Sequence, residues 1–137
     1  MEARLASGLI VIVMAIWFGT LGVRTLIPSD EGRYAEIARE MVATGDWVTP
    51  RAYFGGRLVP FWGKPPRQFW LTAAPFRLLG VSERTARLPG YAAALAMLGI
   101  TFAFARRFWN REAAAASTAV LASSLLFFGL AGSVTLD

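Results

Sequence analysis

Asp30 and Asp137 lie at opposite ends of the chain, yet two apolar crossings between them would return the chain to the membrane face it left. Two carboxylates on one face could share a site. Lys64 and Arg67 flank Pro65 and Pro66, a stiff turn that would offer a phosphate one compact charge and one planar fork. The same four residues also read as an ordinary proline-rich turn whose cations snorkel to the interface. Glu31 and Arg33 join Asp30 in a charged cluster just outside an apolar span, which makes them candidates for binding substrate. Asp30 either caps the helix that follows it, reacts, or does both. Asp137 is either an exposed acid or a partner facing Asp30.

The chain has no cysteine and no histidine, so disulfides, thiolate or imidazole metal sites and Cys-His or Ser-His-Asp nucleophiles are excluded within these residues. What remains is carboxylate, Arg and Lys, amide and hydroxyl chemistry, with a divalent metal held through oxygen left open. The formal charge of +5 does not point to nucleic acid, because its basic residues flank apolar spans rather than decorate a soluble fold. Membrane lipids with anionic headgroups, or a phosphorylated lipid, are the expected partners.

Those residues must be positioned by membrane elements, for 55% of the chain is apolar and the apolar residues come in blocks. The runs 5–23, 88–105 and 113–136 carry no charge, and a helix needs about 20 residues to cross hydrocarbon. The expected fold is an all-α polytopic membrane protein with three transmembrane helices over 5–27, 86–105 and 113–132. An external loop over 28–84 separates the first span from the second. A secretory signal is the alternative for the first block, but no small-x-small cleavage site follows it. Arg106, Arg107 and Arg111 place the turn between spans two and three on the cytoplasmic side, and Arg4 agrees. The many basic residues of 28–84 oppose that topology, though long loops count for less.

Within the loop, Tyr34, Ile37, Ala38 and Met41 repeat at helical spacing with Arg33, Glu36 and Glu40 on the other face. That is an amphipathic helix stopped at Gly45. A second is expected from Arg67 to Leu79, entered through Pro65 and Pro66, left at Gly80, and interrupted or kinked at Pro75. Trp47, Tyr53, Phe54, Phe61, Trp62, Phe69 and Trp70 suit the headgroup zone, so the loop is expected to hug the membrane. The alanines of spans two and three, with Ser117, Thr118, Ser123 and Ser124, suit close packing inside a larger helix bundle.

The loop also resembles a known pattern. Ser-Asp-Glu-Gly-Arg-Tyr-Ala-Glu-Ile-Ala-Arg-Glu-Met at 29–41 and Thr-Gly-Asp-Trp-Val-Thr-Pro at 44–50 are similar to the first external loop of the aminoarabinose transferase and protein mannosyltransferase superfamily. Lys-Pro-Pro at 64–66, Phe-Trp-Leu at 69–71 and Gly-Val-Ser-Glu-Arg-Thr-Ala-Arg-Leu-Pro at 80–89 continue the resemblance in order. It implies the N-terminal portion of a GT-C glycosyltransferase, which moves a sugar from a polyprenyl-phosphate carrier to a lipid or protein acceptor. By the same resemblance Asp30 falls on the family's first-loop catalytic Asp, Asp137 on its second important Asp, and Lys64 on the lysine of the carrier phosphate. Family members usually have Glu before Lys-Pro-Pro and an apolar residue after it, where this chain has Gly63 and Arg67. The missing acid bears on metal or sugar contacts, and Arg67 on phosphate recognition.

The expected location is a bacterial inner membrane, with the catalytic loop external or periplasmic. Aminoarabinose transfer to lipid A is one activity the resemblance allows. The missing C-terminal part of the same chain is an implied partner, without which these residues are expected to be inactive. The rival from another class is a non-enzymatic membrane protein that binds anionic lipid or supports complex assembly. A transporter is weaker still, since the spans show no internal repeat.

Overall fold

A computed structural model of the chain describes residues 2–20, 26 and 31–134, the side chains of 2–7, 9, 10 and 18 excepted. Its elements run in the order α1 (Glu2–Gly19), α2 (Glu31–Thr44), β1 (Arg51–Phe54), β2 (Arg57–Pro60), α3 (Arg67–Leu79), α4 (Glu83–Phe108), α5 (Arg111–Ser123) and α6 (Leu125–Ala131). They divide into two compact units, one of Met1–Val23 with Gly90–Gly132 and one of Arg24–Pro89 with Ser133–Asp137.

The second unit is built on the amphipathic face of α2. Tyr34, Ile37, Ala38 and Met41 bury their side chains against Phe69, Ala73 and Phe76, which recur at helical spacing along α3. Ala52, Ala86 and Val134 complete this core, with Leu26, Val42, Trp47 and Phe61 at its edge. Gly45, at φ 73°, stops α2 by donating its N–H to the Met41 carbonyl at 3.0 Å. Asp46 then shapes the exit: its Oδ1 accepts the N–H groups of Val48 and Thr49, and its Oδ2 lies 3.2 Å from Arg51. Helix α3 begins and ends where the prolines and Gly80 predict, and runs through Pro75.

The antiparallel hairpin of β1 and β2 was not expected from the sequence. Gly55 and Gly56 both have positive φ, 57° and 77°, so the two-residue turn has the twist that joins neighbouring strands. The pairing Phe54 with Arg57 through Arg51 with Pro60 is extended by the Phe61 N–H, which donates to Pro50 at 2.7 Å. The crowded aromatics therefore divide their work: Phe69 is core, Trp70 donates its indole N–H to the Trp47 carbonyl, and Tyr53, Phe54 and Trp62 stay exposed.

The first unit packs α1 on α5 through small residues. Ala114, Ala115, Thr118, Ala119 and Ala122 form the buried face of α5, which lets backbones approach closely. Trp17, 1% exposed, fills the space beside them and meets Tyr91 edge-on, with Phe127 and Phe128 tilted against it. Asn110 caps α5 by accepting the Ala113 N–H at 2.8 Å.

Three transmembrane helices were expected, and this is corrected. Among the described residues one helix, α4, which includes the expected 86–105, is long and apolar enough to cross a membrane. The expected third span breaks at Ser124, whose extended ψ of 123° ends α5, and α6 departs at 66°. Counting that bent pair as one span gives two at most. Of the expected first span, α1 covers the residues to Gly19. The remainder of the predicted 5–27 span falls mostly outside the described residues.

Candidate functional site

Glu31 opens α2, where a carboxylate suits the positive end of the helix, yet it is only 2% exposed. Its Oε1 accepts the N–H of Val134 at 3.2 Å, and its Oε2 lies 3.8 Å from Nη2 of Arg87. Arg87 is itself 3% exposed and Val134 is buried. Three stretches far apart in the chain thus converge on one carboxylate. Arg87 is carried there by the start of α4, whose first turn is fixed by Ser82: its Oγ accepts the Thr85 N–H at 3.1 Å and pairs with the Thr85 hydroxyl at 2.6 Å. A buried ion pair offsets its own desolvation poorly, so its presence points to fixing an arrangement more than to stability.

The two predicted cations flank the turn between β2 and α3. Lys64 is half-buried in that turn, and Arg67 is exposed in the first turn of α3. Pro66 supplies no side-chain cap to that helix, and its first turn has no acidic residue. A helix start with uncapped N–H groups and a cation beside it has a positive potential that favours an anion. At Gly63, where an acid would be usual by resemblance, the Phe61 ring folds over the backbone, and an added Cβ would meet its tip at 2.9 Å. Phe61 is held in place by Phe54 and Phe69 at ring distances of 6.4 and 6.0 Å.

Arg33 is half-buried on α2, two residues beyond Glu31. Asp30 and Asp137, the predicted catalytic pair, lie outside the described residues. Among the described residues no group of three Asp or Glu side chains gathers to hold a metal ion, and Gly63 adds no oxygen ligand.

A cavity of about 240 Å³ opens on another face of α2, lined among others by Gly32, Ala35, Glu36, Arg39, Phe76 and Glu83. None of the predicted site residues among those described lines it. Arg39 forks onto Glu36 at 2.8 and 2.9 Å and also reaches Glu40. The hydrogen bond from Arg39 holds the Glu36 carboxyl below its usual range against its partial burial, and holds the Arg39 guanidinium more firmly protonated. Asp46 is likewise lowered, first by the Thr49 N–H.

Because these carboxyl values are depressed by folding, their stabilisation is present above the ordinary carboxylate range and is lost as pH falls through the lower folded values. Both groups face solvent, so the effect is local. Hydrogen-exchange protection of the Val48 and Thr49 amides is expected to fall on acidification in the native sequence. In Asp46→Ala it should be low throughout; an unchanged acid step there would remove Asp46 as its cause.

Arg87 is the member of the site that sequence reasoning passed over. It lies inside the motif 80–89, and a lone Arg at the mouth of an apolar run is ordinarily an interfacial anchor. Its proximity to Pro89 and its pairing across the fold carry no local periodicity.

One helix long and apolar enough to cross a membrane, together with a buried carboxylate that gathers three stretches of chain, marks a membrane-associated helical protein. Residues 63–137, more than half of the chain, match the family described as dolichyl-phosphate-mannose-protein mannosyltransferase, and the chain belongs to that family. It is similar to the undecaprenyl phosphate-alpha-4-amino-4-deoxy-L-arabinose arabinosyl transferase of Aeromonas hydrophila, 35% identical over 118 residues covering 85% of this chain and 21% of that protein. The protein of the same name from Pectobacterium carotovorum is 33% identical over 98% of this chain and 24% of its own length. Among solved structures, ArnT from Cupriavidus metallidurans bound to undecaprenyl phosphate superposes with a TM-score of 0.82 at 33% identity, over 98% of this chain and 24% of that one. In the apo state it gives a TM-score of 0.78 at 35% identity, over 96% and 24%. The chain therefore spans less than a quarter of the length of these relatives.

Proposed function

We propose that the protein to which this chain contributes transfers a sugar from a polyprenyl-phosphate carrier to a lipid or protein acceptor, at the external face of a bacterial inner membrane. Family membership is the observation that carries this reading. The similar proteins named as arabinosyl transferases make aminoarabinose the first donor sugar to try, and the resemblance of the loop makes lipid A the first acceptor.

Lys64 and Arg67, beside the uncapped start of α3, hold the carrier phosphate. Negative charge grows on that phosphate as its bond to the sugar breaks, so fixed cations stabilise the transition state more than the ground state. Asp30 orients or deprotonates an acceptor hydroxyl; where the acceptor is already a phosphate, it supports the positive charge developing on the sugar instead. Asp137 supports the sugar or Asp30 and is not a second base. Arg33 contacts substrate from the half-buried start of α2. The rest of the chain, with membrane lipids, completes the enclosure.

The purified full-length protein is expected to move radiolabelled aminoarabinose from an undecaprenyl-phosphate donor to lipid A. Labelled mannose and galactose donors serve as the competing sugars. Tight donor binding with no transfer of any of the three, to lipid or to protein, would favour a lipid-binding protein over an enzyme.

A further inference from the structure

Glu31 stands one residue after Asp30, and Val134 stands three residues before Asp137. The Glu31 carboxylate accepts the Val134 N–H at 3.2 Å while Arg87, from the start of α4, lies 3.8 Å from its other oxygen. We propose that Glu31 is a positioning residue: it ties the backbone at Val134 to the start of α2, with Arg87 beside its second oxygen, and so sets the spacing of the two segments that bear the acidic residues. The inference deepens the transferase reading and rests on it.

Three observations carry it. First, both oxygens of Glu31 are engaged within the protein and the side chain is 2% exposed, which leaves little surface for a sugar or a phosphate. Second, the bond ends on a main-chain N–H, so it constrains where the chain passes rather than which side chain stands there. Third, Val134 is buried in the same core as Tyr34, Ala38, Phe69 and Ala86, so the tie is backed by packing on both sides.

Placing a carboxylate correctly is worth much in rate, because a displacement of about 1 Å in a reacting geometry costs on the order of 10²-fold. A substrate contact at Glu31 would act differently, through donor or acceptor KM. The test compares two full-length double variants that both remove the buried charges, so that neither leaves one ion stranded. In Glu31→Gln with Arg87→Met, the amide oxygen still accepts the Val134 N–H. In Glu31→Leu with Arg87→Met, a side chain of similar size cannot.

The Gln variant is expected to keep kcat within about 5-fold of the native protein, and the Leu variant to lose about 10²-fold in kcat with both KM values little changed. Hydrogen exchange of the peptide containing Val134 is read on the same samples: protected in the native and Gln proteins, fast in the Leu protein. Equal kcat and equal protection in the two variants would overturn the proposal, as would a loss confined to KM. A protection difference without transfer by any of the proteins would leave the tie standing and sink the transferase reading, so the two failures are distinguishable.

Discussion

Replacing Asp30 by Asn in the full-length protein is expected to lower sugar transfer by about 10³-fold, the scale of a well-placed general base, with the amount of protein in the membrane unchanged. The choice of Asn separates two roles the sequence leaves joined. Asn and Asp are nearly equal as helix N-caps, so any capping of α2 survives the substitution and only the charge and basicity are lost. A drop of that size corresponds to about 4 kcal/mol of transition-state stabilisation, more than removal of a cap would cost. The acceptor then sorts the mechanism. With a hydroxyl acceptor the loss should shrink as pH rises and the hydroxyl ionises more readily. With a phosphate acceptor, which needs no base, the loss should be insensitive to pH, because what is missing is a negative charge near the sugar. Transfer within about 3-fold of the native rate, in a variant that inserts normally, would take Asp30 out of the catalytic role.

How much of this architecture is legible in the sequence depends on how far each signal reaches along the chain. Helices α2 and α3 were legible because Tyr34, Ile37, Ala38 and Met41, then Phe69, Ala73 and Phe76, repeat within a few turns and face one core. Their stops were legible too, since Gly45 and Gly80 occupy positive φ where other residues are strained. The hairpin was hidden by its own composition. Gly55 and Gly56 mark the turn, but the surrounding rings read as an interfacial belt, and four-residue strands give little alternation. Ser123 and Ser124 read as small packing residues; the break of 66° at Ser124 depends on backbone choice that composition does not encode. The buried meeting of Glu31 with Arg87 is non-local, so neither residue's neighbours announce it.

That non-local pair also predicts a large effect on stability. Arg87→Met, alone, is expected to destabilise the folded protein by about 3 kcal/mol, at the low end for stripping one partner from a buried ion pair. The low end applies because the 3.8 Å separation is long for a charge-assisted hydrogen bond. The loss arises less from the missing attraction than from what stays behind, a carboxylate at 2% exposure deprived of the Arg87 charge. Such a site is shielded from salt, so the difference should persist at high ionic strength, unlike one carried by Arg39 and Glu36 on the half-exposed face of α2. Thermal unfolding of the detergent-solubilised full-length protein, followed at two salt concentrations, measures it. Adding Glu31→Gln to Arg87→Met should return most of the stability, because the charge that could not be solvated is then gone; the double-mutant cycle isolates the coupling. A single variant as stable as the native protein, or a double variant no better than the single, would mean that the two side chains are neighbours without being energetically joined.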